Sequence, residues 1–132
     1  MSKRVLKSLV CALVTVACLW GCLPQVMAPL PVSAPRSSCW PATRAAYLLD
    51  HPVCEACGGR EGLQVHHCVP FNTAAGKLLE CDPSNLITLC TADTHNDHLW
   101  IGHAGSFKTY NPNVREDAKR FREMVSNRRV NE

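Results

Sequence analysis

Apolar positions along the chain change their spacing from segment to segment, and the changes predict elements. After Pro41, ATRAAYLLD places Ala45, Leu48 and Leu49 on one helical stripe, with proline at the start and Pro52 as the stop. Leu63-Gln64-Val65-His66 alternates as a strand does. Leu86-Ile87-Thr88-Leu89 is a second short apolar run, preceded by the turn residues Asp82-Pro83-Ser84-Asn85 and closed by Cys90. Residues 72–80 read as a loop with one short helical piece. The polar stretch from Asp93 to His103 turns helical from about Asn96, with Gly102 as a stop. From Val114 to Arg128 Ala118, Phe121 and Val125 form an apolar helical face, with Glu116 and Asp117 in the first turn and Asn113 as a cap. A small α+β domain with a hairpin is expected. Trp40, Phe71, Trp100, Phe107 and Tyr110 are expected to fill its core.

Ahead of this body the pattern is different. Residues 1–28 combine the bases Lys3, Arg4 and Lys7, an uncharged run from Ser8 to Leu23 and a small-residue end at Ala28, the layout of a secretory signal peptide. Leu19-Trp20-Gly21-Cys22 resembles a bacterial lipobox. An uncleaved anchor, with membrane association through residues 8–27, is the alternative. Residues 29–37, with Pro29, Pro31 and Pro35, read as an extended linker. The domain is expected over 38–128, with a tail at 129–132.

The 132 residues hold one small domain and exclude a multi-domain enzyme. Three of the fourteen Lys+Arg lie in the leader, so the rest of the chain is charge-balanced against eleven Asp+Glu. A polyanionic partner must then be met by a local patch.

Nine cysteines change the picture more. Six lie in the body: Cys39, Cys54, Cys57, Cys68, Cys81 and Cys90. That is enough for thiolate metal sites or for disulfides. Cys54-x-x-Cys57 followed by Gly58-Gly59 is a knuckle that delivers two thiolates from one turn, and Cys90 after a short strand is the natural third ligand of a structural zinc. Asp93, His95 and Asp97 are alternatives for the fourth. A disulfide between turn cysteines is the rival reading.

His66-His67 closes the first predicted strand, where successive side chains point to opposite faces, so the two imidazoles are free to do different jobs. His98 and His103 lie close together on the later helical stretch, with Asn85 between the two groups in sequence.

These residues together resemble the HNH nucleases, whose fold is the ββα-metal or His-Me finger. The matching segments are Cys54-Glu-Ala-Cys57, Leu63-Gln-Val-His66-His67-Cys-Val-Pro70-Phe71, Asp82-Pro-Ser-Asn85-Leu-Ile-Thr-Leu-Cys90 and Asn96-Asp97-His98-Leu99-Trp-Ile-Gly102-His103. Tyr110-Asn-Pro-Asn-Val-Arg-Glu-Asp117 is further similar to a phage- and plasmid-type subgroup. The resemblance runs from about Arg36 to Arg128 and implies a metal-dependent endonuclease that hydrolyses DNA phosphodiester bonds. It implies His67 as general base and Asn85 as a catalytic residue orienting the loop or the base. It implies His66, His98 and His103 as ligands of a divalent ion (Mg, Mn, Ni or Zn), and Cys54, Cys57, Cys90 and Asp97 around a structural zinc. Two departures stand out: the family usually has cysteine where Asp97 stands, and His98 and His103 are five residues apart, whereas a helix aligns side chains four apart.

DNA is the implied partner, met by Lys108, Arg115, Lys119 and Arg120, with weak sequence preference because no base-reading module is visible. Two other classes remain: a zinc-knuckle nucleic-acid-binding protein that never cuts, and a secreted disulfide-stapled protein. The leader points to export or anchoring, whereas the resemblance points to the cytoplasm.

Overall fold

Two five-residue strands organise the domain. In the computed structural model, which describes residues 35–130, β1 (Leu63–His67) and β2 (Leu86–Cys90) pair antiparallel, with Leu63 opposite Cys90 and His67 opposite Leu86. The leader and most of the linker expected from the sequence lie outside the described residues. Every residue of β2 is buried, which accounts for its unbroken apolar run, because both faces of the hairpin are covered. One core cluster joins Ile87, Leu89 and Cys90 to Cys54, Ala56, Val114 and Ala118. A second cluster joins Val65 and Leu86 to Tyr47.

Helix α1 (Trp40–Asp50) begins as its Pro41 predicts and packs on β1. Its inward residue is Tyr47, whose hydroxyl donates to the Leu86 carbonyl at 2.7 Å, while Leu49 of the expected stripe is 81% exposed. The long connection between the strands holds a short helix α2 (Ala74–Leu78), capped by the Thr73 hydroxyl, and a 3-10 turn at Pro83–Asn85. After β2 the chain makes a π turn at His98–Gly102 and ends in α3 (Val114–Val130). Val114 and Ala118 seat α3 on the hairpin, with Phe121 packed against the same cluster, as its periodicity predicts.

Two expectations change, and a choice the sequence leaves open is made. Residues 35–37, read from sequence as linker, are tied into the fold: the Pro35 carbonyl accepts from Lys77 and the Ser37 amide donates to the Glu80 carboxylate. Trp100 and Phe107 are 66% and 57% exposed rather than in the core, with Phe107 lying against the histidine rings, 5.9 Å from His98 and 5.0 Å from His103. Finally, Cys39 and Cys81 form a disulfide, while Cys54, Cys57, Cys68 and Cys90 are free. Among the described residues no helix is long and apolar enough to cross a membrane.

Candidate functional site

The knuckle forms as its glycines require. Gly58 has φ of +80°, which favours glycine, and a Cβ there would also displace the Arg122 guanidinium, 2.5 Å away. Arg122 in turn donates to the Cys54 carbonyl at 3.0 Å, fastening the knuckle to α3. The Glu55 amide bonds the Thr88 carbonyl, placing the turn against β2 so that Cys90 comes beside it. The result is a cluster of Cys54, Cys57, Cys90 and Asp97, with all four ligand atoms within 4.8 Å of one another.

Asp97 Oδ2 lies 3.2 Å from Cys54 Sγ and 3.3 Å from Cys90 Sγ, and the Cys57 and Cys90 sulfurs are 3.7 Å apart. A tetrahedral site with ~2.3 Å metal–sulfur bonds has S···S edges of ~3.8 Å, which the Cys57–Cys90 separation matches. Asp97 therefore takes the fourth place among the alternatives. His95 Nε2 touches only Cys57, at 3.3 Å on the exposed side. Burial pushes the Cys54 and Cys57 thiols above their ordinary pKa, with hydrogen bonding to Asp97 adding to the rise.

The second cluster is His66, His98 and His103, again with ligand atoms within 4.8 Å of one another. Ring centroids are 5.1 Å apart for His66 and His98, 4.9 Å for His66 and His103 and 5.0 Å for His98 and His103, all edge to face. The five-residue spacing is accommodated by the π turn: the His103 amide donates to the carbonyls of both His98 and Leu99. Gly102 makes room for the third ring, since a Cβ there would lie 3.1 Å from His66 Cε1 and Nδ1. His103 Nδ1 lies 2.6 Å from the Thr109 carbonyl, which can only accept, so Nδ1 carries the proton and Nε2 is left as the lone-pair nitrogen.

Burial, with the neighbouring imidazoles adding repulsion, holds His66 at a pKa of about 2 and His98 at about 4. Both rings are therefore neutral and able to ligate at neutral pH. His66 Nε2 is buried and has no hydrogen-bond partner, an arrangement that is unfavourable for a polar nitrogen unless a Lewis acid meets it. The Cys/Asp and His clusters are both positioned to bind a metal ion.

His67 does point away from its neighbour, as strand alternation predicts. Its ring packs 4.4 Å from Trp40 and 5.7 Å from Phe71, and Nε2 donates to the Glu80 carbonyl at 3.0 Å, leaving Nδ1 as the basic nitrogen. Burial is the largest influence on its pKa and lowers it. Asn85 is buried and reaches no cleft: Oδ1 accepts from the Val69 amide, and Nδ2 donates to the Val69 and Leu79 carbonyls. It positions the segment that delivers Glu80 to His67.

All four histidines line one cleft of about 250 Å³, together with Arg36 and Arg44. The sequence offers no signal for these two arginines, because only the packing of α1 on β1 turns them toward the histidines. Arg36 lies 3.6 Å over the Phe71 ring and 4.6 Å over Trp40. The cations expected to meet DNA, Lys108, Arg115, Lys119 and Arg120, are all exposed, with Arg120 3.9 Å from Asp117. Arg115 is committed to the fold, where its Nη2 donates to the Ser84 and Leu86 carbonyls at 2.6 and 2.7 Å.

The molecule is thus a small α+β domain with two metal-type side-chain clusters, one of cysteines and aspartate clamping a hairpin and one of histidines opening on a cleft. Comparison with protein-family models finds no match, nor do comparisons with the curated proteins and with the solved structures.

Proposed function

We propose that the chain is a divalent-metal-dependent endonuclease of the HNH, ββα-metal type, hydrolysing DNA phosphodiester bonds. The observation that carries the reading is the convergence on one cleft of a three-imidazole cluster and a separate buried imidazole with one nitrogen held by a carbonyl. Hydrolysis of a phosphodiester needs a base for water and positive charge where the transition state gains negative charge. A divalent ion held by His66, His98 and His103 would supply that charge to a phosphate oxygen and the leaving oxygen.

The chain's own residues do the rest. His67 Nδ1 takes the proton of the attacking water, and the Glu80 carbonyl on Nε2–H stabilises the imidazolium that results. Arg36 and Arg44 offer the cleft two cations for flanking phosphates. Cys54, Cys57, Cys90 and Asp97 suit a structural zinc, by their softness and tetrahedral spacing. The antiparallel hairpin followed by the π turn is compatible with a ββα arrangement.

The test is supercoiled plasmid incubated with the full-length protein and Mg²⁺, Mn²⁺, Ni²⁺ or Zn²⁺. Wild type is expected to nick, and His67→Ala to lose ~10²–10⁴ in rate with its metal content retained. Cutting by purified His67→Ala removes the general-base assignment. DNA that shifts but is never nicked by wild type favours a zinc-knuckle binding protein instead.

A further inference from the structure

We propose that the Cys39–Cys81 disulfide is a redox-sensitive positioning device for His67, tying together the two segments that hold that imidazole. Cys39 immediately precedes Trp40, whose ring centroid lies 4.4 Å from that of His67. Cys81 immediately follows Glu80, whose carbonyl accepts the His67 Nε2–H at 3.0 Å. The disulfide therefore joins the residue beside the packing partner of His67 to the residue beside its hydrogen-bond partner, across 42 positions of sequence.

The local chemistry fits this use. Cys39 stands at the N-cap of α1, where its side chain makes no capping hydrogen bond and its sulfur is bonded to Cys81. The Glu80 carboxylate reinforces the same junction from the buried side, accepting from Ser37 and Lys77, with Arg36 at 3.7 Å. Those contacts are exchangeable with water, whereas the disulfide is not. No cluster cysteine is drawn into the pair, so the metal-type thiols and the positioning disulfide are separate devices in one small domain.

Reduction consumes two electrons and two protons and yields two thiols; two molecules of glutathione supply them and leave as one molecule of glutathione disulfide. The Trp40 and Glu80 segments can then move apart, and the His67 ring loses its fixed orientation. In thiol-reducing surroundings the site is loosened, and in oxidising ones it is closed. The effect on turnover rests on the nuclease reading, whereas the effect on the imidazole does not.

The test uses the full-length, zinc-loaded protein, oxidised or equilibrated with millimolar glutathione. Long-range ¹H–¹⁵N spectra of the imidazoles report the His67 tautomer, and plasmid cleavage reports kcat and KM. Expected are a single Nε2–H tautomer when oxidised and a mixture when reduced, with kcat falling ~10²-fold and KM holding within about twofold. The Cys39→Ser/Cys81→Ser double variant should match the reduced protein and ignore glutathione. A folded, reduced protein with an unchanged tautomer overturns the inference, and so does an unchanged kcat where the oxidised protein cuts DNA. Unfolding of the whole domain on reduction also overturns it, since the disulfide then serves the fold rather than His67. A tautomer change in a protein that cuts no DNA in either state sustains the inference and defeats the nuclease reading.

Discussion

The main-chain amide of His103 donates to the carbonyl of His98, five residues back, at 3.1 Å, and in this π-type turn their imidazole centroids lie 5.0 Å apart. In an α-helix the fifth residue has rotated well past the first, so the two rings would diverge. The widened turn is sustained at both ends. Asn96 Oδ1 accepts the Leu99 amide, while Asn111 donates from Nδ2 to the Ile101 carbonyl and from its amide to that of Gly102. π turns of this kind are frequent at functional sites.

Gly102 gives that geometry a sharp test. In Gly102→Ala the new Cβ meets His66 at 3.1 Å and Leu89 Cδ1 at 3.2 Å, so the His66 ring must shift by a few tenths of an ångström. Affinity for the metal of the histidine cluster is expected to fall ~10–100-fold, the range for losing correct ligand orientation, with zinc at the cysteine cluster retained. Titration with Ni²⁺ or Co²⁺ after selective stripping checks it; unchanged affinity would show that His66 is not held by this contact.

Asp97 is expected to be a working ligand. Asp97→Ala removes one of four donors and should weaken zinc binding by at least ~10-fold in chelator competition, whereas Asp97→Cys should bind at least as tightly as wild type. Zinc uptake near pH 7 should also release a proton from each of Cys54 and Cys57, whose pKa values burial raises. Calorimetry in buffers of different ionisation enthalpy measures that release.

The metal-free protein should lose stability as pH falls below 6.5. In the unfolded chain the imidazoles of His66 and His98 protonate through that value, but in the fold they stay neutral down to about 2 and about 4. The unfolded state therefore binds more protons across the interval, and the slope favours unfolding toward acid. Urea midpoints of chelator-treated protein between pH 7 and pH 4.5 should fall steadily; a flat profile would contradict the buried, neutral assignment.

Arg115 should behave as part of the fold rather than as a DNA contact. Its Nη2 donates to the Ser84 and Leu86 carbonyls, and the Tyr47 hydroxyl still serves the latter, so Arg115→Ala is expected to destabilise by about 0.5–1.5 kcal/mol, seen as a lower Tm. DNA affinity of the folded variant should change less than about twofold, as measured by anisotropy, whereas a phosphate-contacting cation would reduce both affinity and its salt dependence.

The residue types of both clusters were legible because the chemistry is local: a Cys-x-x-Cys turn with glycine behind it, and two histidines ending a strand, carry their meaning in a few neighbouring positions. The two strands and the α3 face were legible for the same reason, their period being a property of the backbone. What escaped involved partners distant in sequence. The cysteine spacing leaves the pairing of Cys39 with Cys81 undetermined, since connectivity depends on which chain ends meet. Arg36 and Arg44 look like any polar residues of a helix and its approach until α1 packs on β1.

By itself, then, the sequence determined the α+β elements, the knuckle and the candidate ligands, since propensity, turn chemistry and side-chain softness act over a few residues. Only the tertiary structure decided that His98 and His103 converge on His66, that Asp97 rather than His95 completes the thiol cluster, and that a disulfide braces the surroundings of His67. The reason is physical: each of these depends on distances between segments dozens of residues apart, which burial and packing set and no local preference encodes.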